Sequence, residues 1–189
     1  MARAPKLSFS HLGIHVHDIE RMTSFYTEFM GLFVTDRGTL DVLPGQPRIV
    51  FLSRDPNEHH QLALVEGRED AGGTARIVNQ ISFHLDSLDD LKALAGALEE
   101  EGIEPRMPIS HGNEWSLYFP DPEGNGIECF VHTPWYVPQP VVEALDLSAS
   151  SHEILAQTET AFRHRDGFKP YEQWRREFAQ KHGLDWEER

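Results

Sequence analysis

Two stretches of this chain carry the same alternation and are followed by the same kinds of segment. Leu12, Ile14 and Val16 alternate with His11, Gly13, His15 and His17. Ile81, Phe83 and Leu85 alternate with Gln80, Ser82, His84 and Asp86, so that His11 matches Gln80 and His15 matches His84 at an offset of 69. Period-2 alternation marks a strand with one buried face. After the first strand, Asp18 stands where it can cap a helix in which Ile19, Met22, Phe25 and Phe29 recur at helical spacing, and Gly31 ends it. Strand-like runs follow at 32–35, 48–53 and 61–65, punctuated by Pro44, Gly45 and Pro47. After the second strand, Ser87 to Asp90 resemble a capping box, and Leu88, Leu91, Leu94 and Leu98 form the stripe of a helix ending at Gly102. Strands are expected near 104–107, 115–119 and 126–132, the last two separated by a turn from Asp121 to Gly126. The order β-α-β-β-β therefore occurs twice. A period this long fits a duplicated module rather than a solenoid. The expected fold is α+β: two βαβββ modules, about 7–66 and 79–132, forming a cupped mixed sheet. Residues 1–133 hold the paired modules and residues 134–189 a Pro-rich connector and helical extension.

That extension begins with Thr133 to Pro140, where dense prolines exclude helix and inner strand. Residues 151–162 and 171–181 are expected as two helices, the first with a partial stripe of Ile154, Leu155, Thr158 and Phe162, the second with the pair Trp174 and Phe178. The extension is too short to own a core and is expected to pack on the module pair or on a neighbouring subunit.

Composition narrows the partners. Of 189 residues, 17 are Lys or Arg and 31 are Asp or Glu, a formal charge of −14. That balance argues against nucleic acid or an anionic membrane, which both need clustered positive charge. A single cysteine, Cys129, excludes a disulfide framework and a thiolate-rich metal site. No apolar run is long enough to span a membrane, and Met1 to Ser10 lack a signal-like apolar core. A cytoplasmic protein assembling with copies of itself is expected.

The 11 histidines are numerous and unevenly placed. Those on the first strand share a face opposite its apolar residues; Gln80, Ser82 and His84 share a face on the fifth strand, and Glu128 and His132 on the last. With the apolar faces against the helices, the polar faces line the cup, and a histidine and a carboxylate converging in a concavity suit a divalent metal. A merely solvated sheet face shows the same alternation. His15, His17 and His84 fill the sheet face or donate behind a ligand, and His132, His152, His164 and His182 are expected at the surface. Cys129 falls on the apolar side and is expected buried and inert. Glu99 to Glu101 form a solvated helix end. Trp135 and Tyr136 either wall a pocket or cover a sheet edge.

The segment Ser10 to Val16, followed by Phe25-Tyr26 and Gly31-Leu32, resembles the opening of a vicinal oxygen chelate module, of the glyoxalase, bleomycin-resistance and extradiol-dioxygenase superfamily. Tyr118 to Glu128 resembles its closing signature, which delivers the metal-binding glutamate. The resemblance covers about residues 7–132 and implies two βαβββ modules around a metal. Three details are most similar to the type I extradiol ring-cleaving dioxygenases. Glu58 to Leu64 resembles their strand that opens with a catalytic histidine, the match falling on His60. Asn79 to Leu85 resembles the segment carrying their second metal histidine. Ser110-His111-Gly112 with Tyr118 resembles the pair that borders their substrate. The resemblance implies a small aromatic diol of the catechol type and dioxygen as substrates, metal ligands at His11, position 80 and Glu128, and His60, His111 and Tyr118 as catalytic residues. Iron(II) is the implied metal, with manganese, nickel or zinc as the others such a site accepts.

Position 80 departs from the pattern, because Gln80 stands where a histidine is expected. An amide oxygen is a weaker and harder donor than imidazole, which disfavours tight iron(II) binding. The glyoxalase-like branch accepts glutamine ligands, so His11, Gln61, Gln80 and Glu128 would resemble an epimerase or lyase site that moves protons beside a metal-held oxyanion. Parity along the strand opposes His60 to Gln61 and His59. The adjacent histidines followed by small and apolar residues favour His60, leaving His59 and Gln61 as additional candidates. A metal-free protein of the same fold that holds an aromatic ligand or drug is the third reading.

Overall fold

The computed structural model describes residues 9–41, 43–69, 78–105 and 108–185. The chain folds as α+β, in two compact units: residues 1–77 with Asp121–Gly124, and residues 78–120 with 125–189.

In the first unit, strand β1 (Leu12–Val16) leads into helix α1 (Ile19–Ser24), which a π-helical turn continues over Phe25–Phe29. Strands β2 (Phe33–Thr39), β3 (Arg48–Ser53) and β4 (Leu62–Glu66) follow. The sheet order is β1-β4-β3-β2, with β1 parallel to β4 and the other pairs antiparallel. Asp18 caps α1, its carboxylate accepting the Glu20 and Arg21 N–H groups. The start of that helix is held a second time. Glu123, its side chain only 5% exposed, accepts the backbone N–H groups of His17 and Asp18. Tyr26 donates to Asp121 at 3.1 Å. The Asp-Pro-Glu-Gly turn of the closing signature thus also fastens α1. Strand β2 runs past Thr35 as an exposed edge with a bulge between Val34 and Asp36, and an exposed edge carries no alternation for the sequence to display.

In the second unit, β5 (Ile81–His84), α2 (Leu88–Glu100), β6 (Ile109–Ser110), β7 (Glu114–Pro120) and β8 (Gly126–His132) repeat the scheme. β5 is parallel to β8, and the sheet runs β6-β7-β8-β5. Leu91 and Leu98 of α2 are fully buried, as are Leu117 and Ile127 of the sheet. Each such side chain contributes about 1.5–3 kcal/mol. Ser87 accepts the Asp90 N–H, but the Asp90 carboxylate takes the Ser87 hydroxyl rather than its backbone N–H, so the expected capping box is half-made. The strand expected over 104–107 is absent at Glu104 and Pro105, while Arg106 and Met107 lie outside the described residues.

The extension packs on this second sheet. Trp135–Tyr136 form β9, Glu143–Ala144 form β10 along the β6 edge, and Lys169–Pro170 form β11 against β9. Helix α3 (Ser151–Phe162) is tied down where Trp115 donates to buried Thr158 at 2.8 Å. Val137, Val141 and Phe162 form a small buried cluster with Phe168 against it, so the extension brings apolar packing of its own. Tyr136 stacks on Trp174 of helix α4 (Tyr171–His182) and Trp135 on Phe168. No helix among the described residues is long and apolar enough to cross a membrane.

Candidate active site

The first unit holds a histidine cluster of its own. His11 precedes β1, and its ring lies 4.1 Å from that of His60. His60 also packs on Phe51 at 4.8 Å, and its Nδ1 is 3.0 Å from Nδ1 of His59. Partial burial, then the neighbouring His11 and His59, lower the His60 pKa. Ser10 donates to Glu58 at 3.0 Å and sits beside His11 Nδ1. Gln61 is turned elsewhere: its side-chain oxygen accepts the Arg54 N–H at 2.9 Å in the β3–β4 turn. Strand parity does not govern these residues, because β4 starts at Leu62 and His59 to Gln61 lie in the bend before it.

The second unit gathers more. On β8, Glu128 is 5% exposed and faces Ser82 of β5 on one side and Tyr118 of β7 on the other. Its Oε2 accepts from Gln80 Nε2 and from the Ser82 hydroxyl, both at 2.6 Å, and its Oε1 accepts from the Tyr118 hydroxyl. Burying a carboxylate is costly unless it is well hydrogen-bonded, and three donors supply that here. His111 continues the chain, with Nε2 3.0 Å from the Tyr118 oxygen and Nδ1 2.7 Å from the Val141 carbonyl. That carbonyl only accepts, so Nδ1 carries a proton and the ring's orientation is set by the connector. Burial, then the bond and charge of Glu128, hold the Tyr118 phenol well above its ordinary pKa, so it remains a donor.

Two glycines let this arrangement close. A Cβ on Gly126 would lie 2.6 Å from the Asn79 carbonyl, so only a glycine lets β8 approach the start of β5 where Gln80 emerges. Gly112 has φ +81°, and a Cβ there would meet Val137 at 2.5 Å. Further along the same sheet face, His132 is half-buried rather than at the surface as the sequence suggested. Tyr171 of α4 covers it at 5.1 Å, His84 lies at 4.9 Å, and Glu114 approaches to 3.4 Å. Burial, with His84 and Arg175 nearby, pushes the His132 pKa down to about 4. Burial and the Glu128 charge raise the Glu114 carboxyl. His152, His164 and His182 are exposed, and the buried Cys129 thiol is pushed up to about 12 by burial.

Sequence reasoning put Ser82 on the Gln80 face but gave it no role; its period-2 spacing from Gln80 was the available signal. Nothing in the sequence pointed to the Val141 carbonyl or to Asn79, whose Nδ2 donates to Gln80 Oε1 at 2.8 Å.

Residues 8–129 match the family model of the Glyoxalase/Bleomycin resistance protein/Dioxygenase superfamily. The chain belongs to that superfamily. Within it, the chain is 30% identical over 131 residues to biphenyl-2,3-diol 1,2-dioxygenase 2 of Rhodococcus globerulus. It is 32% identical over 133 residues to biphenyl-2,3-diol 1,2-dioxygenase 3 of the same organism. These alignments cover 68% of this chain but 63% and 64% of the two relatives. Solved structures share the superfamily fold. A glyoxalase/bleomycin resistance protein/dioxygenase domain from Frankia matches with TM-score 0.55 at 22% identity, over 68% of this chain and 99% of that one. A fosfomycin resistance protein of Listeria monocytogenes, solved with manganese(II) and sulfate, matches with TM-score 0.51 at 16% identity, over 67% and 93%.

Among the described residues no three His, Cys, Asp or Glu side chains form a group able to hold a metal ion. A set containing Gln80 has another makeup. Imidazole nitrogen, amide oxygen and carboxylate oxygen together suit a divalent cation of intermediate hardness. The donor types therefore fit on one condition: Gln80, whose N–H group faces Glu128, must present its oxygen instead.

Proposed function

We propose that this superfamily member is a dioxygenase-like metalloenzyme that cleaves the ring of a small aromatic diol of the catechol type. The observation that carries the reading is the hydrogen-bonded run His111–Tyr118–Glu128, in a chain 30% identical to biphenyl-2,3-diol dioxygenases. His11, Glu128 and the Gln80 amide oxygen would hold a divalent metal, iron(II) before manganese, nickel or zinc. Such an ion supplies, when bound, Lewis acidity that eases deprotonation of a diol hydroxyl and, as iron(II), an electron route to dioxygen.

The chain's own residues do the rest. His60 takes the proton of a diol hydroxyl, its ring held by His11 and Phe51. Tyr118 orients a ligand oxygen by hydrogen bonding. His111, oriented by Val141, passes through Nε2 a proton taken up from solvent, which replaces the one that His60 removed. The test is oxygen uptake by protein loaded with iron(II) and given catechol or biphenyl-2,3-diol. Uptake with appearance of a ring-opened product supports the proposal. Metal-loaded protein that consumes no oxygen across a catechol panel overturns it.

One observation favours a second reading, a metal-free protein that holds an aromatic ligand: Glu128 is fully served by protein donors. Diol binding that is unchanged by a chelator, without oxygen uptake, would select it. The epimerase or lyase alternative loses support because the Gln61 oxygen is committed to the Arg54 N–H.

A further inference from the structure

The Gln80 side chain is held from both ends. Its Oε1 accepts from Asn79 Nδ2 at 2.8 Å, and its Nε2 donates to Glu128 Oε2 at 2.6 Å and approaches Ser82 Oγ at 3.3 Å. Reversing that amide alone would turn its NH2 toward the Asn79 NH2, donor against donor, and its oxygen toward the Glu128 carboxylate, acceptor against acceptor. The second opposition is relieved only by a cation between them. The first is relieved when the exposed Asn79 side chain swings out to solvent, and the hydrogen bond between the two amides is then given up.

We infer that Asn79 and Gln80 form an amide lock on metal binding. In the locked state the Gln80 N–H group does for Glu128 what a cation would do. In the metal-binding state the Gln80 amide turns, its oxygen becomes a ligand, and the hydrogen bond to Asn79 is lost. The inference deepens the proposed function, resting on its assignment of Glu128 and Gln80 as ligands, and makes Asn79 a positioning residue that touches neither metal nor substrate. A residue that is no ligand then weakens metal affinity by its presence.

The lock is tested by titrating manganese(II) and zinc(II) into chelator-treated protein by calorimetry. Asn79 is exposed, so Asn79→Ala leaves the core untouched, and circular dichroism checks its fold. Releasing one neutral hydrogen bond should tighten metal binding about two- to tenfold. Gln80→His removes the amide and adds an imidazole donor, and should tighten it about ten- to a hundredfold. In a Gln80→Ala background, Asn79→Ala should change nothing. In protein labelled with 15N glutamine, the Gln80 side-chain amide signals should shift on adding zinc(II). Folded Asn79→Ala that binds metal as wild type or more weakly overturns the lock and leaves the metal reading standing. An Asn79→Ala effect that persists without Gln80 overturns the lock too. No metal binding by wild type, Asn79→Ala or Gln80→His overturns the lock and the metal reading together.

Discussion

The two βαβββ units share a strand order and a parallel pairing of first and last strands, yet place different chemistry at the same point. In the first unit Gly13 pairs with Ala63; in the second, Ser82 pairs with Glu128. Of the small pair Gly13 is exposed and Ala63 buried, neither with a polar side chain, and the clustered histidines of that unit, His11, His59 and His60, come from the end of a strand and the bend beside it. The second unit carries Ser82, Tyr118 and Glu128 on the ladder itself, where neighbouring strands supply donors at fixed spacing, with Gln80 and His111 just beyond strand ends. A carboxylate so placed can be buried and oriented, whereas loop-borne imidazoles depend on ring packing for their positions. The same scaffold thus carries different side chains at equivalent ladder positions.

The sharpest way to break this comparison is to make the second unit resemble the first. Glu128→Ala should reduce bound divalent metal to background in elemental analysis, while Ala63→Ser at the matching place should leave metal content at the wild-type level. Next, His111→Ala should lower turnover about 100- to 10,000-fold, the usual range for a positioned acid or base, with metal content intact. Equal loss of metal and turnover would mean that His111 supports the ligands rather than the chemistry.

The glycines sharpen the contrast. Gly13→Ala meets nothing within 4 Å and should alter stability by less than about 0.5 kcal/mol in urea unfolding. Gly126→Ala pushes against the Asn79 carbonyl and should cost about 1–3 kcal/mol. A pH effect concerns His132, which burial keeps neutral in the folded protein, with a pKa of about 4. The unfolded chain takes up a proton near pH 6.5, so the contribution is whole above that value and shrinks as pH falls from 6.5 toward 4. The loss between pH 7 and pH 5 should be about 1–2 kcal/mol after allowing for partial exposure, and His132→Gln should flatten that slope.

Strand alternation alone revealed the repeat, the buried side of Cys129 and the common face of Gln80, Ser82 and Glu128. It worked there because side chains inside a strand alternate strictly between two faces. Alternation ended where the ladder ended. Whether His60 or Gln61 lies beside His11 was decided by the bend before Leu62, which frees both residues from parity and lets the Arg54 N–H claim the Gln61 oxygen. The burial of His132 likewise depends on α4, a segment distant in sequence whose Tyr171 covers the ring.

The sequence by itself determined the βαβββ duplication, the closing signature and the glutamine at position 80, because periodicity and motif spacing are local properties of the chain. Tertiary structure alone decided how that glutamine is used. An amide has a donor end and an acceptor end on one carbon, and only its neighbours in space, Asn79 on one side and Glu128 on the other, choose which end faces the carboxylate.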